Sequence, residues 1–175
     1  MNDMIRIVEP LIPALRRYAR SLLKDRAAAD DLVQDCLERT ITRWHQRRPD
    51  GDARTWVFTI LHNLAIAEFR KTARRGPHVA LDDVQEAALV SEPDQFHRVQ
   101  HVDLVSALDM LPEEQRAVIL LVSVEDLSYA EVAEVLDIPI GTVMSRLSRG
   151  RERLQRLMDG EVGRSVSAPK LRSVK

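Results

Sequence analysis

Apolar residues recur along this chain at helical steps. Val8, Leu11, Leu15, Tyr18 and Leu22 lie three or four residues apart and predict one amphipathic helix near the N-terminus. A second stripe, Val33, Cys36, Leu37, Thr40, Ile41 and Trp44, belongs to a helix expected to begin near Ala28-Ala29-Asp30-Asp31. Acids in a first turn suit the positive end of the helix dipole. The polar run RRPDGD, residues 47–52, breaks the period as a loop. A third helix, from about Ala53 to Arg75, puts Trp56, Val57, Ile60, Leu61 and Leu64 on its buried side and stops at Gly76-Pro77. Three helices with short connections predict a bundle.

Residues 77–100 hold no sustained period and contain Pro77, Pro93 and scattered acids, the pattern of a linker with one helical turn around Asp83–Leu89. Helical spacing resumes with Val102, Leu104, Val105 and Leu108, and Pro112 with Glu113-Glu114 opens the next helix. Ser128 followed by Glu131 is a capping box, so a helix starts there, with Ala130, Val132, Ala133 and Leu136 as its packing face. Asp137-Ile138-Pro139 ends it, and another helix starts near Gly141-Thr142. There Val143, Leu147, Gly150, Leu154 and Leu157 form a buried stripe, opposite Thr142, Ser145, Arg146, Arg149 and Arg153. The polar, Gly- and Ser-containing end reads as a disordered tail. The expected fold is all-α: two small helical domains, 1–75 and 101–159, joined by a flexible acidic linker, 76–100, and followed by the tail, 160–175.

Composition agrees with helices, since 30% charged residues and only 6 glycines accompany a largely aliphatic 45% of apolar residues. The longest apolar run, Ala117 to Val122, is far too short to cross a bilayer. The N-terminal MNDMIRIVEP lacks a signal peptide's apolar stretch, and Cys36, the only cysteine, excludes an internal disulfide. The expected compartment is the cytoplasm. Charge changes the picture more. Residues 1–75 carry 15 basic and 10 acidic side chains, whereas residues 76–111 carry 1 and 7. Two modules separated by an acidic connector fit that division.

Helix, tight turn and basic helix form a helix-turn-helix, and its chemistry suits DNA. Arginine pairs in a fork with guanine edges or phosphate, and Ser and Thr hydroxyls donate to phosphate oxygens. Arginines also decorate ordinary solvated helices, so the turn, cap and buried stripe in register carry the reading. The chain has no Gly-rich phosphate loop, no nucleophile motif and no paired cysteines for zinc, so neither an enzyme nor a cofactor is expected. His97 and His101 stand four apart without carboxylates to complete a metal site, and Cys36 reads as core.

The segment LPEEQRAVILLVSVEDLSYAEVAEVLDIPIGTVMSRLSRGRERL closely resembles the promoter-binding C-terminal domain of extracytoplasmic-function (ECF) sigma factors, the compact branch of the bacterial sigma-70 family. ADDLVQDCLERTITRW resembles that family's helix that docks on the clamp helices of the largest polymerase subunit, and ARTWVFTILHNLAIAEFRKTARR resembles its promoter-melting segment. The resemblance implies that Asp31, Gln34, Asp35 and Arg39 face core RNA polymerase. It implies that Arg54, His62, Asn63, Arg70 and Lys71 handle the near promoter element, with a base flipped into a pocket shaped by the loop Arg47–Asp52. It assigns Thr142, Ser145, Arg146, Arg149 and Arg153 to the far element. Trp56 reads as core rather than a stacking platform. Implied partners are core RNA polymerase, promoter DNA and an anti-sigma factor.

Two features depart from the family. Where relatives often show Arg-Asn-Leu-Ala-Ile-Asp, this chain has His62-Asn63-Leu64-Ala65-Ile66-Ala67, and its linker is unusually acidic. Such a linker suits a polymerase channel that normally holds RNA, a regulatory contact or an inert spacer. The competing assignment is a stand-alone helix-turn-helix regulator of LuxR type, which binds a symmetric duplex site without polymerase.

Overall fold

The computed structural model describes residues 2–75 and 104–159, and their regular structure is entirely helical. The expected linker, the turn around Asp83–Leu89, both His97 and His101, and the tail lie outside the described residues.

The predicted first helix is two. Helix α1 (Asn2–Val8) passes through a 3₁₀ turn (Glu9–Leu11) into α2 (Ile12–Leu23). Pro10 and Pro13 supply no backbone N–H, so an unbroken α-helical ladder cannot run through them. The apolar stripe survives the break, with Val8, Leu15, Tyr18 and Leu22 buried. Helix α3 (Arg26–Arg43) starts earlier than expected, because Asp25 is the cap: its Oδ1 accepts from the amides of Ala27 at 2.9 Å and Ala28 at 3.1 Å. Ala29, Leu32, Val33, Cys36 and Thr40 are buried, whereas Ile41 is 58% exposed.

A 3₁₀ turn (Trp44–Gln46) and the loop through Asp52 lead to α4 (Ala53–Arg75). Asp52 Oδ2 accepts from the Thr55 amide at 2.7 Å and its hydroxyl at 2.8 Å, fixing the helix entry. The loop is tied on itself, as Arg47 donates to the carbonyls of Gly51 at 2.6 Å and Arg48 at 3.1 Å. Trp44 and Trp56 pack edge to face with centroids 6.0 Å apart, both half-buried, so Trp56 packs at the core's margin.

The second half contains α5 (residues 104–109), α6 (Glu113–Ile119), a π-helical turn (Leu120–Val124), α7 (Tyr129–Leu136) and α8 (Ile140–Met158). The capping box forms as the sequence predicts, Ser128 Oγ accepting from the Glu131 amide at 3.3 Å while the Ser128 amide donates to Glu131 Oε2 at 2.7 Å. Helix α7 buries Val132, as expected, together with Val135, and packs Ala133 and Leu136 partly against the core, whereas Ala130 is exposed. It ends at Asp137, held at a left-handed φ of 51°, which a short polar side chain tolerates. Helix α8 begins at Ile140, with Val143, Leu147 and Gly150 buried. A Cβ at Gly150 would lie 2.8 Å from Ile119 Cδ1, so this glycine lets α8 press against α6.

The buried side chains of the two halves join in one cluster. Helix α4 packs against α2 and α3 of the first half and against α7 of the second. Polar contacts reinforce the seam: buried Arg116 donates to the Leu22 carbonyl at 3.0 Å, and Lys24 donates to that of Asp109.

Candidate nucleic-acid interface

Helix α8 presents its cations unevenly. Arg149 and Arg153 are exposed, whereas Thr142, Ser145 and Arg146 are half-buried. Arg146 Nη2 lies 2.9 Å from Glu114 Oε2 and its side chain keeps only 25% exposure. Ser145 Oγ donates to the Thr142 carbonyl at 3.1 Å, so its hydroxyl is turned onto its own helix. Two exposed residues not singled out from the sequence, Met144 and Ser148, share this outer surface. Ser148 lies three residues from Ser145 and Met144 four from Ser148, and that helical spacing is the signal that would have found them. Gly141 is the second residue of α8, and a Cβ there would meet nothing within 4 Å. The amides of Thr142 and Val143 are already bonded to the Pro139 carbonyl, at 2.8 and 3.2 Å.

On α4 the expected contacts divide. Asn63, Arg70 and Lys71 are exposed, and Arg74 joins Arg70 and Lys71 around a shallow basic cleft. Lys71, ion-paired with Glu68 at 3.2 Å, also borders a groove with Asp31, Gln34 and Asp35 of α3. Arg54 packs over the Phe58 ring, 5.8 Å from its centroid, and donates to the Glu125 carbonyl. His62 departs from expectation: a ring assigned to DNA is 9% exposed and hydrogen-bonded through Nδ1 to the Tyr18 hydroxyl at 3.1 Å. Burial, assisted by the nearby Arg146 cation, pushes its pKa down to about 4, so it is neutral at physiological pH. His62 is therefore not part of the exposed polar surface of α4, which includes Asn63, Arg70 and Lys71.

Asp31, Gln34, Asp35 and Arg39 are all exposed, at helical steps on one face of α3. The opposite face carries Cys36, whose thiol donates to the Val57 carbonyl at 3.6 Å and is pushed up to about 12 by burial, as befits a core residue. Among the described residues, no cluster of three His, Cys, Asp or Glu side chains could hold a metal. No described helix is long and apolar enough to cross a membrane.

Both halves match known families. Residues 8–62 match the sigma2 domain of PhyR, and residues 101–154 match sigma-70, region 4. The ECF RNA polymerase sigma factor EcfG of Rhodopseudomonas palustris is 35% identical over 147 residues, spanning 84% of this chain and 80% of its own. The chain belongs to the ECF sigma factor family. A second sigma factor, SigM of Mycobacterium tuberculosis, is 33% identical over 145 residues, 82% of this chain and 71% of that one. In structure, this sigma factor resembles RpoE of Bartonella quintana, solved with the anti-sigma factor NepR, at a TM-score of 0.74 and 31% identity. That likeness covers 91% of this chain and 98% of the other. CnrH, solved with the cytosolic domain of CnrY, gives 0.67 at 25% identity. The sigma factor thus directs core polymerase to promoters, and none of these likenesses favours a LuxR-type regulator.

Proposed function

We propose that this sigma factor is a dissociable initiation subunit whose two halves divide recognition between them. The exposed face of α3, with Asp31, Gln34, Asp35 and Arg39, docks on core RNA polymerase. The surface of α4, with Arg54, Asn63, Arg70 and Lys71, holds the near promoter element as it opens. Cations there neutralise backbone phosphate, which favours separated strands without reading their sequence. Helix α8 reads the far element through Arg149, with Thr142, Ser145, Arg146 and Arg153 contacting edges or phosphates nearby.

One observation carries the reading. A helix-turn-helix capped at Ser128 holds a cationic surface outward on α8, while a separate face of the same chain presents the α3 cluster. A lone DNA-binding module has no use for the second. The chain takes part in no bond-making step of its own, acts in the cytoplasm where core polymerase works, and is restrained by an anti-sigma factor, as the Bartonella relative solved with NepR supports.

The test separates the surfaces. Arg149→Ala should lower promoter-specific initiation by an amount worth about 1–3 kcal/mol if the arginine pairs with a base, while core polymerase binding stays intact. Loss of polymerase binding in that variant would show the two surfaces to be wrongly assigned.

A further inference from the structure

Several arginines of the chain are turned onto its own carboxylates. Arg17 of α2 forks onto Glu125 at 2.9 and 2.8 Å, and Arg146 of α8 reaches Glu114 at 2.9 Å. The Ser145 hydroxyl is likewise spent on the Thr142 carbonyl. Three exposed side chains remain in the middle of the outer surface of α8: Met144, Ser148 and Arg149. Met144 is the odd member. Its apolar neighbours Val143 and Leu147 are 0% and 3% exposed, whereas Met144 is 48% exposed and stands outside the packed cluster.

An unburied thioether gains nothing in the free chain and gains most against a small apolar group. Among the base edges of the major groove only thymine offers one, its 5-methyl. The rest of this surface is hydroxyl and guanidinium, which match a polyanion and not the apolar groove of a protein. Helical side chains lean toward the preceding turn, and there Gly141 carries no side chain and has open space around it. We propose that Met144 is a specificity-determining residue of the far element, contacting the 5-methyl of a thymine near the guanine that Arg149 forks. The two residues stand five steps apart in the helix. That is about 7.5 Å along its axis, or about two base pairs at roughly 3.4 Å each. The thymine is on either strand. The proposal rests on the assignment of α8 to the far element made above.

Holoenzyme assembled from core polymerase and the full chain tests this by selecting active templates from a DNA library randomised upstream of the start site. The parent should select a guanine and, about two base pairs away, a thymine on one strand. Arg149→Ala should lose the guanine preference and Met144→Ala the thymine preference alone, with helicity by circular dichroism as the check on folding. On the selected promoter, deoxyuridine in place of that thymine removes only the methyl. Initiation by the parent should then fall about fourfold, the worth of one buried methyl-sized group, and initiation by Met144→Ala should fall no further. A thymine preference absent from the parent, or kept by Met144→Ala, overturns the contact, as does a deoxyuridine penalty of equal size in both. An equal loss on all templates with Met144→Ala would put the side chain against protein, and overturns it too. If Arg149→Ala also leaves the selected sequences unchanged, the far-element assignment of α8 falls with it.

Discussion

His62 and Asn63 are neighbours in the chain with opposite surroundings, one buried and one exposed. The sequence spacing puts Trp56, Val57, Ile60, Leu61 and Leu64 inward, yet Phe58, His62 and Ala65 are buried as well. Both sets are buried because α4 packs against α7 as well as against α2 and α3, so a single-stripe reading finds only part of the buried surface. An imidazole within such a helix is polar enough to look like a ligand, and only the packed structure places it against Tyr18. Its burial has a pH signature. The folded-state pKa, about 4, lies below the ordinary 6.5, so the folded chain resists a proton that the unfolded chain accepts. Stability is therefore fully present above pH 6.5 and falls as pH drops toward 4, by about 1.4 kcal/mol per unit from this group. Urea denaturation of the parent and of His62→Gln across that window should show the parent losing up to about 3 kcal/mol more. Parallel profiles would mean that the ring is not buried neutral.

Among the elements, those fixed by local chemistry were the most legible. The capping box at Ser128, the loop at 47–52 and the Val143–Leu157 stripe all stand where the sequence puts them. Ser128→Ala should cost about 1 kcal/mol of stability, read as a shift of the denaturation midpoint with unchanged slope. No shift would mean that packing alone holds the start of α7. Boundaries were read less well, for identifiable reasons. Helix α3 starts at Arg26 rather than near Ala28 because the Asp25 backbone is extended and its carboxylate reaches two free amides. Asp30 is instead engaged with Arg20 at 2.9 Å. The prolines that divide α1 from α2 were visible, but an uninterrupted stripe of apolar residues masked their effect.

At the scale of the whole chain, the two helical regions were legible from the acidic, aperiodic interval between them, and their mutual packing was not. Periodicity tells which positions are apolar, not which element covers them. The Arg17–Glu125 fork joins residues more than a hundred positions apart, and no local pattern encodes it. The polymerase and far-element surfaces were both named through the family's motifs rather than through charge alone, since arginines on a solvated helix are common. The division of labour between the halves is tested most directly by transcription of a genomic-fragment library with purified core polymerase, with and without this chain, reading the 5′ ends of the products. Discrete new start sites that require both the chain and core, with only weak duplex binding by the free chain, are the predicted result. Tight binding of the free chain to a symmetric duplex, with no new start site on any fragment, would contradict it.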